Sequence, residues 1–402
     1  MNKSIGGNVK NIKLAQATIL LGALAVAANS HATDANGIEY SGSGFMTLGV
    51  GKMLGGTRQD VSDYNCPCYI SDYAQAAVYD GRSSLQWRPD SKIGLQGSAS
   101  HNYFSLTAQV VARAADTGGV DLEWLYGSYR LNDKVTIQAG RKRLPMFYYS
   151  DMQDIGVALP WAHLPPQVYG WEAVNYNGVN VMYQDKFGDW SANANLLTGS
   201  ESKKDSGYWK IYNGRQSRSD IKWSNIIGGN LTLSKDWFET RFVYIQSNTE
   251  ENLVSNGWDG QAYTIPPGVI YPPAKQKIYG LAVNADYESW LLRTEFINIK
   301  HHGLGYGDFA QLVGVGYHYK NWQPMATWSR YFGTAVTDNL VPGATTGIPN
   351  MQQVLSMTLR YDLTTSSDLK VQYDYQTDHS DPAYTPNYGT ARLLTFTYDM
   401  VF

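Results

Sequence analysis

From Leu394 to Phe402 every second side chain is large and apolar (Leu394, Phe396, Tyr398, Met400, Phe402), with Thr395, Thr397, Asp399 and Val401 between them. A period of two marks a β-strand with one apolar face. The alternation recurs from Ile38 onward and predicts sixteen strands, among them Ser83–Ser98, Phe104–Ala114, Leu122–Leu131, Val135–Leu144 and Arg392–Phe402. Fourteen and eighteen strands are the neighbouring alternatives. Tight polar joints such as Asn132–Lys134 and Ser234–Asp236 alternate with long connections at 52–82, 145–172, 198–225, 248–276 and 333–350. No shift in composition marks a second domain, so residues 33–402 read as one all-β unit.

Composition decides what solvent such strands face. Tyr (30) and Gly (39) are abundant and only 17% of residues are charged. No stretch after residue 32 supplies the ~18 consecutive apolar residues of a spanning helix. A bilayer can then be crossed only by a closed antiparallel barrel, because every backbone donor and acceptor must be paired within hydrocarbon. Apolar positions would face lipid and the intervening ones the lumen. On that parity Phe104, Leu106 and Val110 point outward, as do Leu125, Tyr129 and Leu131. Arg82, Arg88, Lys92, Arg113 and Arg130 then point inward, with Arg141, Lys142 and Arg143 at the end of the fifth strand. Arg or Lys on the lipid face would cost ~2–4 kcal/mol at the midplane, so this placement implies a wet interior.

The chain ends suggest a compartment. Residues 1–32 read as a secretory signal peptide: Lys3, Lys10 and Lys13, an apolar run from Leu14 to Ala28, and small Ser30 and Ala32 before a cut. Losing them removes three lysines and no carboxylates, which moves the formal charge from −3 to −6. That balance argues against a nucleic-acid partner, which needs a basic face. The final strand, with Tyr398, Met400 and Phe402 on its apolar face, resembles the terminal strand that the outer-membrane assembly machinery of Gram-negative bacteria recognises.

The segment Gly140–Trp171 (GRKRLPMFYYSDMQDIGVALPWAHLPPQVYGW) is long and too apolar to project into water. With its basic strand end Gly140–Arg143 and the terminal Phe402, the chain resembles the 16-stranded trimeric general porins of proteobacteria. That resemblance implies a homotrimer in the bilayer, in contact with lipopolysaccharide, whose water-filled channel passes small hydrophilic solutes and ions. It implies that 145–172 folds inward as a constriction loop, with Asp151 and Asp154 opposing the wall cations. The loop departs from the family pattern in having few acids and many aromatics: Phe147, Tyr148, Tyr149, Trp161 and Tyr169. These either offer a stacking surface for sugars or ring compounds, which favours a selective channel, or wedge the loop against the wall. Wedging is the reading preferred here.

Other features carry less. Cys66-Pro67-Cys68 has no metal-ligand companions, and a disulfide across one residue would be strained. Adjacent His301 and His302 read as solvated loop residues. None of the seven histidines stands in a nucleophile or acid motif. The expectation is therefore a channel without cofactor or metal, not an enzyme; an adhesin or receptor barrel is the remaining alternative, supported only by the long loops.

Overall fold

Sixteen strands close into one antiparallel barrel in the computed structural model of the chain. The structure describes residues 30–34, 37–57, 60–81, 84–115, 119–255, 269–270, 273–302, 306–335, 350–381 and 387–402. The strands are β1 (Glu39–Gly56), β2 (Lys92–His101), β3 (Phe104–Arg113), β4 (Val120–Arg130), β5 (Val135–Arg143) and β6 (Asn175–Phe187). Next come β7 (Trp190–Lys203), β8 (Arg218–Lys235), β9 (Phe238–Ser255), β10 (Ala274–Tyr287) and β11 (Trp290–His302). The wall ends with β12 (Tyr306–Tyr317), β13 (Trp322–Ala335), β14 (Asn350–Thr364), β15 (Ser367–Asp378) and β16 (Thr390–Val401). Each pairs with its neighbour in sequence. Closure falls on β1, which pairs with β16 through Leu48 and Tyr398 and with β2 through Glu39 and Ser100. Two extra strands join this sheet: Ser30–Thr33 pairs onto β1, and Val269–Ile270 onto β9. The first contains both small residues of the expected cleavage site; residues 1–29 lie outside the described residues.

Three local expectations change. The second strand starts at Lys92, not Ser83: residues 84–91 make turns and one isolated bridge, Gly51 to Gln86. Pro89, lacking an N–H, cannot continue a ladder. The long and short connections do not alternate strictly, since Arg113 to Val120 and His302 to Tyr306 are short although they lie on the loop side. Strands β8 and β9 run 18 residues each, longer than expected and longer than the ~9–11 residues that suffice to cross a bilayer.

The two faces differ chemically. Leu48, Leu106, Leu125, Val181, Leu196, Phe242, Met357, Val371 and Phe396 are exposed on the outside. Thr107, Gln109, Asn180, Thr327, Ser356, Gln372, Asp374, Thr397 and Asp399 are buried on the inside. One sector breaks the rule: Ile245, Ile278, Ile297, Ile299, Leu312 and Met325 face inward from β9–β13 and are buried under loop side chains. Terminal Phe402 exchanges backbone hydrogen bonds with Gly44, at 2.7 and 2.9 Å, and its ring occupies the space a Cβ would need there. Tyr398 and Met400 pair opposite Leu48 and Met46.

Leu196, mid-strand on β7 and 69% exposed, tests the assigned faces. Leu196→Arg should lower folding stability in lipid vesicles by ~2–4 kcal/mol, while Asn193→Arg, three residues away on the inward face, should lower it by less than ~1 kcal/mol. Equal losses in denaturant titrations would invert the assignment.

Candidate functional site in the barrel lumen

The β5–β6 connection turns inward and crosses the barrel. It contains two 3₁₀ turns, Ser150–Met152 and Gly156–Ala158, and one short helix, Pro166–Tyr169. Its attachments reach round the wall. The Tyr148 amide donates to Glu295 on β11 at 2.7 Å, and the Tyr169 hydroxyl donates to the same carboxylate. Trp161 Nε1 donates to Thr327 Oγ1 on β13 at 2.8 Å, and the Ala162 amide to Gln372 on β15 at 2.9 Å. Arg360 donates to the carbonyls of Val157 and Leu159, and Lys370 Nζ to that of Gly156. Buried carbonyls need such partners because an unsatisfied polar group costs ~1–3 kcal/mol.

Burial follows the aromatics. Phe147, Tyr149, Trp161 and Tyr169 are buried in one cluster with the inward isoleucines of β9–β11, and Tyr148 packs against it. Ring centroids lie 5.0 Å apart for Phe147 and Tyr169 and 5.5 Å apart for Tyr149 and Trp161. Tilted and edge-on contacts of this kind stabilise a core. These rings wedge the loop against the wall; they present no open stacking surface.

Two charged nodes hold the loop. In the first, Asp154 receives Arg113 at 2.7 Å, Lys92 at 3.5 Å and Arg143. Glu123 receives Arg113 at 2.7 Å and Arg143 at 3.1 Å, and Asp121 receives Arg113 at 2.9 Å. Three cations thus meet three carboxylates. Only 5% of Asp154 and 2% of Glu123 is exposed, so each charge depends on its partners. Burial opposes ionisation of Asp154, yet the guanidinium groups of Arg113 and Arg143 outweigh it and hold this carboxyl well below its usual range. In the second node His163 lies between Asp90, 3.1 Å from Nδ1, and Asp374, 3.2 Å from Nε2. Burial again opposes the charge, but Asp90 and Asp374 raise the imidazole to about 10, which keeps it cationic at neutral pH. Tyr79 also donates to Asp90, at 2.7 Å.

The remaining expected site residues do not converge. Arg88 is exposed outside the strands and donates to the Ala114 carbonyl; it borders a cavity of about 530 Å³ on the loop side, with Lys203, Lys204 and Asp121. Arg130 is exposed at the turn-side rim. Arg141 pairs with Glu201 at 2.9 Å, away from Asp154. Lys142 and Asp151 line a second cavity, of about 210 Å³. Arg82 lies outside the described residues. Cys66 and Cys68 are joined as a disulfide within the first loop. Among the described residues no group of three or more His, Cys, Asp or Glu could hold a metal.

Sequence reasoning missed Glu123, Asp90, His163 and Arg241; alternation places Glu295 and Asp374 inward but assigns them no role. Glu123 has a specific cause. Strict alternation with Leu125 points it outward, but a β-bulge, where Gln109 pairs with Trp124 and Val110 with Leu122, adds one residue and turns its carboxylate inward. For the others the local pattern does not reveal the partners, which lie far away in sequence.

No known family matches the chain, and no curated protein matches its sequence. Solved structures do match. The fold is that of an outer-membrane porin. The outer membrane channel DcaP of Acinetobacter baumannii superposes with a TM-score of 0.57 at 11% identity, covering 93% of this chain and 100% of that one. The anion-selective porin from Comamonas acidovorans gives 0.54 at 10% identity, covering 91% and 100%. Salmonella typhi OmpF, solved with daunomycin, gives 0.52 at 11% identity over 93% and 100%. At such identities the likeness lies in the porin fold alone.

The nodes make opposite pH predictions. Asp154, with a depressed pKa, stabilises above its unfolded value of ~4, and that contribution is lost as pH falls. His163, raised from 6.5 to about 10, stabilises fully below 6.5 and loses that contribution as pH climbs through 10. Thermal unfolding should therefore show His163→Gln well below the native protein at pH 6 and converging with it above about 10. Asp154→Asn, which leaves Arg113 and Arg143 with one buried carboxylate fewer, should cost ~3–5 kcal/mol at pH 7. An unchanged melting temperature for both variants would mean that neither node holds the loop.

Proposed function

We propose that the chain forms a water-filled channel in the Gram-negative outer membrane through which small hydrophilic solutes and ions diffuse passively. One observation carries the reading: a closed barrel, apolar outside and polar within, holds polar cavities of about 530 and 210 Å³ on the loop side and the turn side of an inward-folded connection. A lipid-facing exterior requires a membrane, and charged inward positions require water or ions. The loop 145–172 acts as the constriction, held by Asp154 and His163. The chain is exported by the signal segment 1–32 and inserted by the barrel assembly machinery, which reads Phe402 and its strand. It works as a homotrimer beside lipopolysaccharide, and catalyses nothing. Support for the trimer comes from a porin-fold relative, OmpT of Vibrio cholerae, described in a trimer form.

Planar-bilayer recordings of refolded protein should show large, ligand-independent steps. Deleting the loop between Asp151 and Pro165 should raise the step at least twofold, since it removes side chains that fill part of the lumen. Well-folded protein without steps would remove the channel; steps unchanged by the deletion would remove the constriction. Mass measured in detergent should correspond to three copies, and a concentration-independent monomer would refute the trimer alone.

A further inference from the structure

Resting on the channel reading above, we propose that the turn-side cavity is a binding site for a small hydroxylated monocarboxylate, of the sugar-acid class. Four cations line this cavity of about 210 Å³: Lys134, Lys142, Arg143 and Arg241. Two are already neutralised. Lys134 pairs with Asp185 at 2.7 Å, and Arg143 belongs to the Asp154 and Glu123 node. Lys142 and Arg241 take part in no ion pair among the described residues. The Lys142 ammonium donates to the Gln138 amide and stands 4.8 Å over the ring of Tyr126, while Arg241 donates to the carbonyls of Pro145 and Tyr148. Their hydrogen-bond partners are neutral, and the nearest carboxylates, Asp151 for Lys142 and Glu295 for Arg241, act on them through space without a direct bond. The one carboxylate in the lining is exposed Asp151. The cavity is therefore electropositive, and in a narrow lumen walled by low dielectric that field is poorly screened.

The wall between the charges, where Thr232 pairs with Arg241 and Asn180 accepts from Lys142, specifies more than an anion. Asn195 on β7 stands in register with Asn230 on β8, and Asn193 with Thr232. Asn180 extends the patch by donating to Asn195 at 2.9 Å. Each amide offers both donors and an acceptor, the complement of hydroxyl groups, which do the same. An unsubstituted fatty or aromatic acid would offer nothing to the donors and acceptors that these amides have left after bonding to one another. Arg241 is held by one bond from each terminal nitrogen to the Tyr148 and Pro145 carbonyls, and its buried Nε keeps an unused donor. Lys142 supplies a single point charge, which matches one carboxylate. The volume lies below the ~300–1,000 Å³ of drug-sized pockets and admits one small solute.

The test uses sodium gluconate as probe on the native full barrel, with glucose (hydroxyls, no carboxylate) and propionate (carboxylate, no hydroxyls) as comparators. In planar bilayers gluconate should interrupt the chloride current at a half-blocking concentration at least tenfold below that of either comparator. Lys142→Gln should raise that concentration roughly tenfold, the loss expected of one charge-assisted hydrogen bond. Asn195→Leu should raise it several-fold with the lysine intact, so the test survives if one variant fails to fold, and Arg88→Gln in the loop-side cavity should leave it unchanged. Equal block by all three probes, or block unmoved by both cavity variants, would overturn the site. Saturation-transfer NMR on detergent-solubilised protein separates this from the channel reading. Gluconate signal that is lost in Lys142→Gln, without any bilayer current, supports the site and removes the channel; current without gluconate signal keeps the channel and removes the site.

Discussion

Backbone pairing at membrane depth is the constraint from which the rest of this structure follows. A peptide group without a partner in hydrocarbon costs several kcal/mol, so a sheet that crosses the bilayer cannot keep an open edge. Here the whole solution rests on β1, whose edges are taken by β2 and β16. Closure sends one parity of side chains to lipid and the other into a shared interior. The exposed leucines and valines of the outer face and the buried amides, hydroxyls and carboxylates of the inner face are two consequences of the same closure.

An interior that wide must be filled by water or by chain. The β5–β6 connection fills part of it, and the wall is matched to the loop it receives. Where the loop brings Phe147, Tyr149, Trp161 and Tyr169, the wall presents isoleucines instead of polar groups. Where it brings Asp154 and His163, the wall and the first loop present Arg113, Arg143, Asp90 and Asp374. Apolar contact supplies most of the attraction, being non-directional and proportional to buried area. The buried ion pairs set where the loop lies: each charge is tolerable only with its partners in place.

That division affects how the lumen handles charge. Lys92, Arg113 and Arg143 look from sequence like fixed pore charges, yet they spend their field on Asp154, Glu123 and Asp121. Lys142 and Arg241, by contrast, are hydrogen-bonded to neutral groups and take part in no ion pair among the described residues. A residue's contribution to selectivity thus depends less on its sign than on whether the fold has already paired it.

The amino-acid sequence by itself determined the class of fold, a count of sixteen strands, the outward and inward parity of β3, and that the connection after β5 is too apolar to project into water. These depend on period-two patterning, turn residues and local hydrophobicity, which are properties of neighbouring residues. Tertiary structure decided the rest. The bulge that turns Glu123 inward depends on how β4 meets β3, and the inward isoleucines Ile297 and Ile299 make sense only beneath a loop more than a hundred residues earlier in the chain. His163 finds Asp90 and Asp374 only after the barrel has closed, because their separations in sequence are bridged by no local pattern. Which cations enter ion pairs was likewise settled by pairing at a distance, since attraction between charges depends on separation and burial and not on order along the chain.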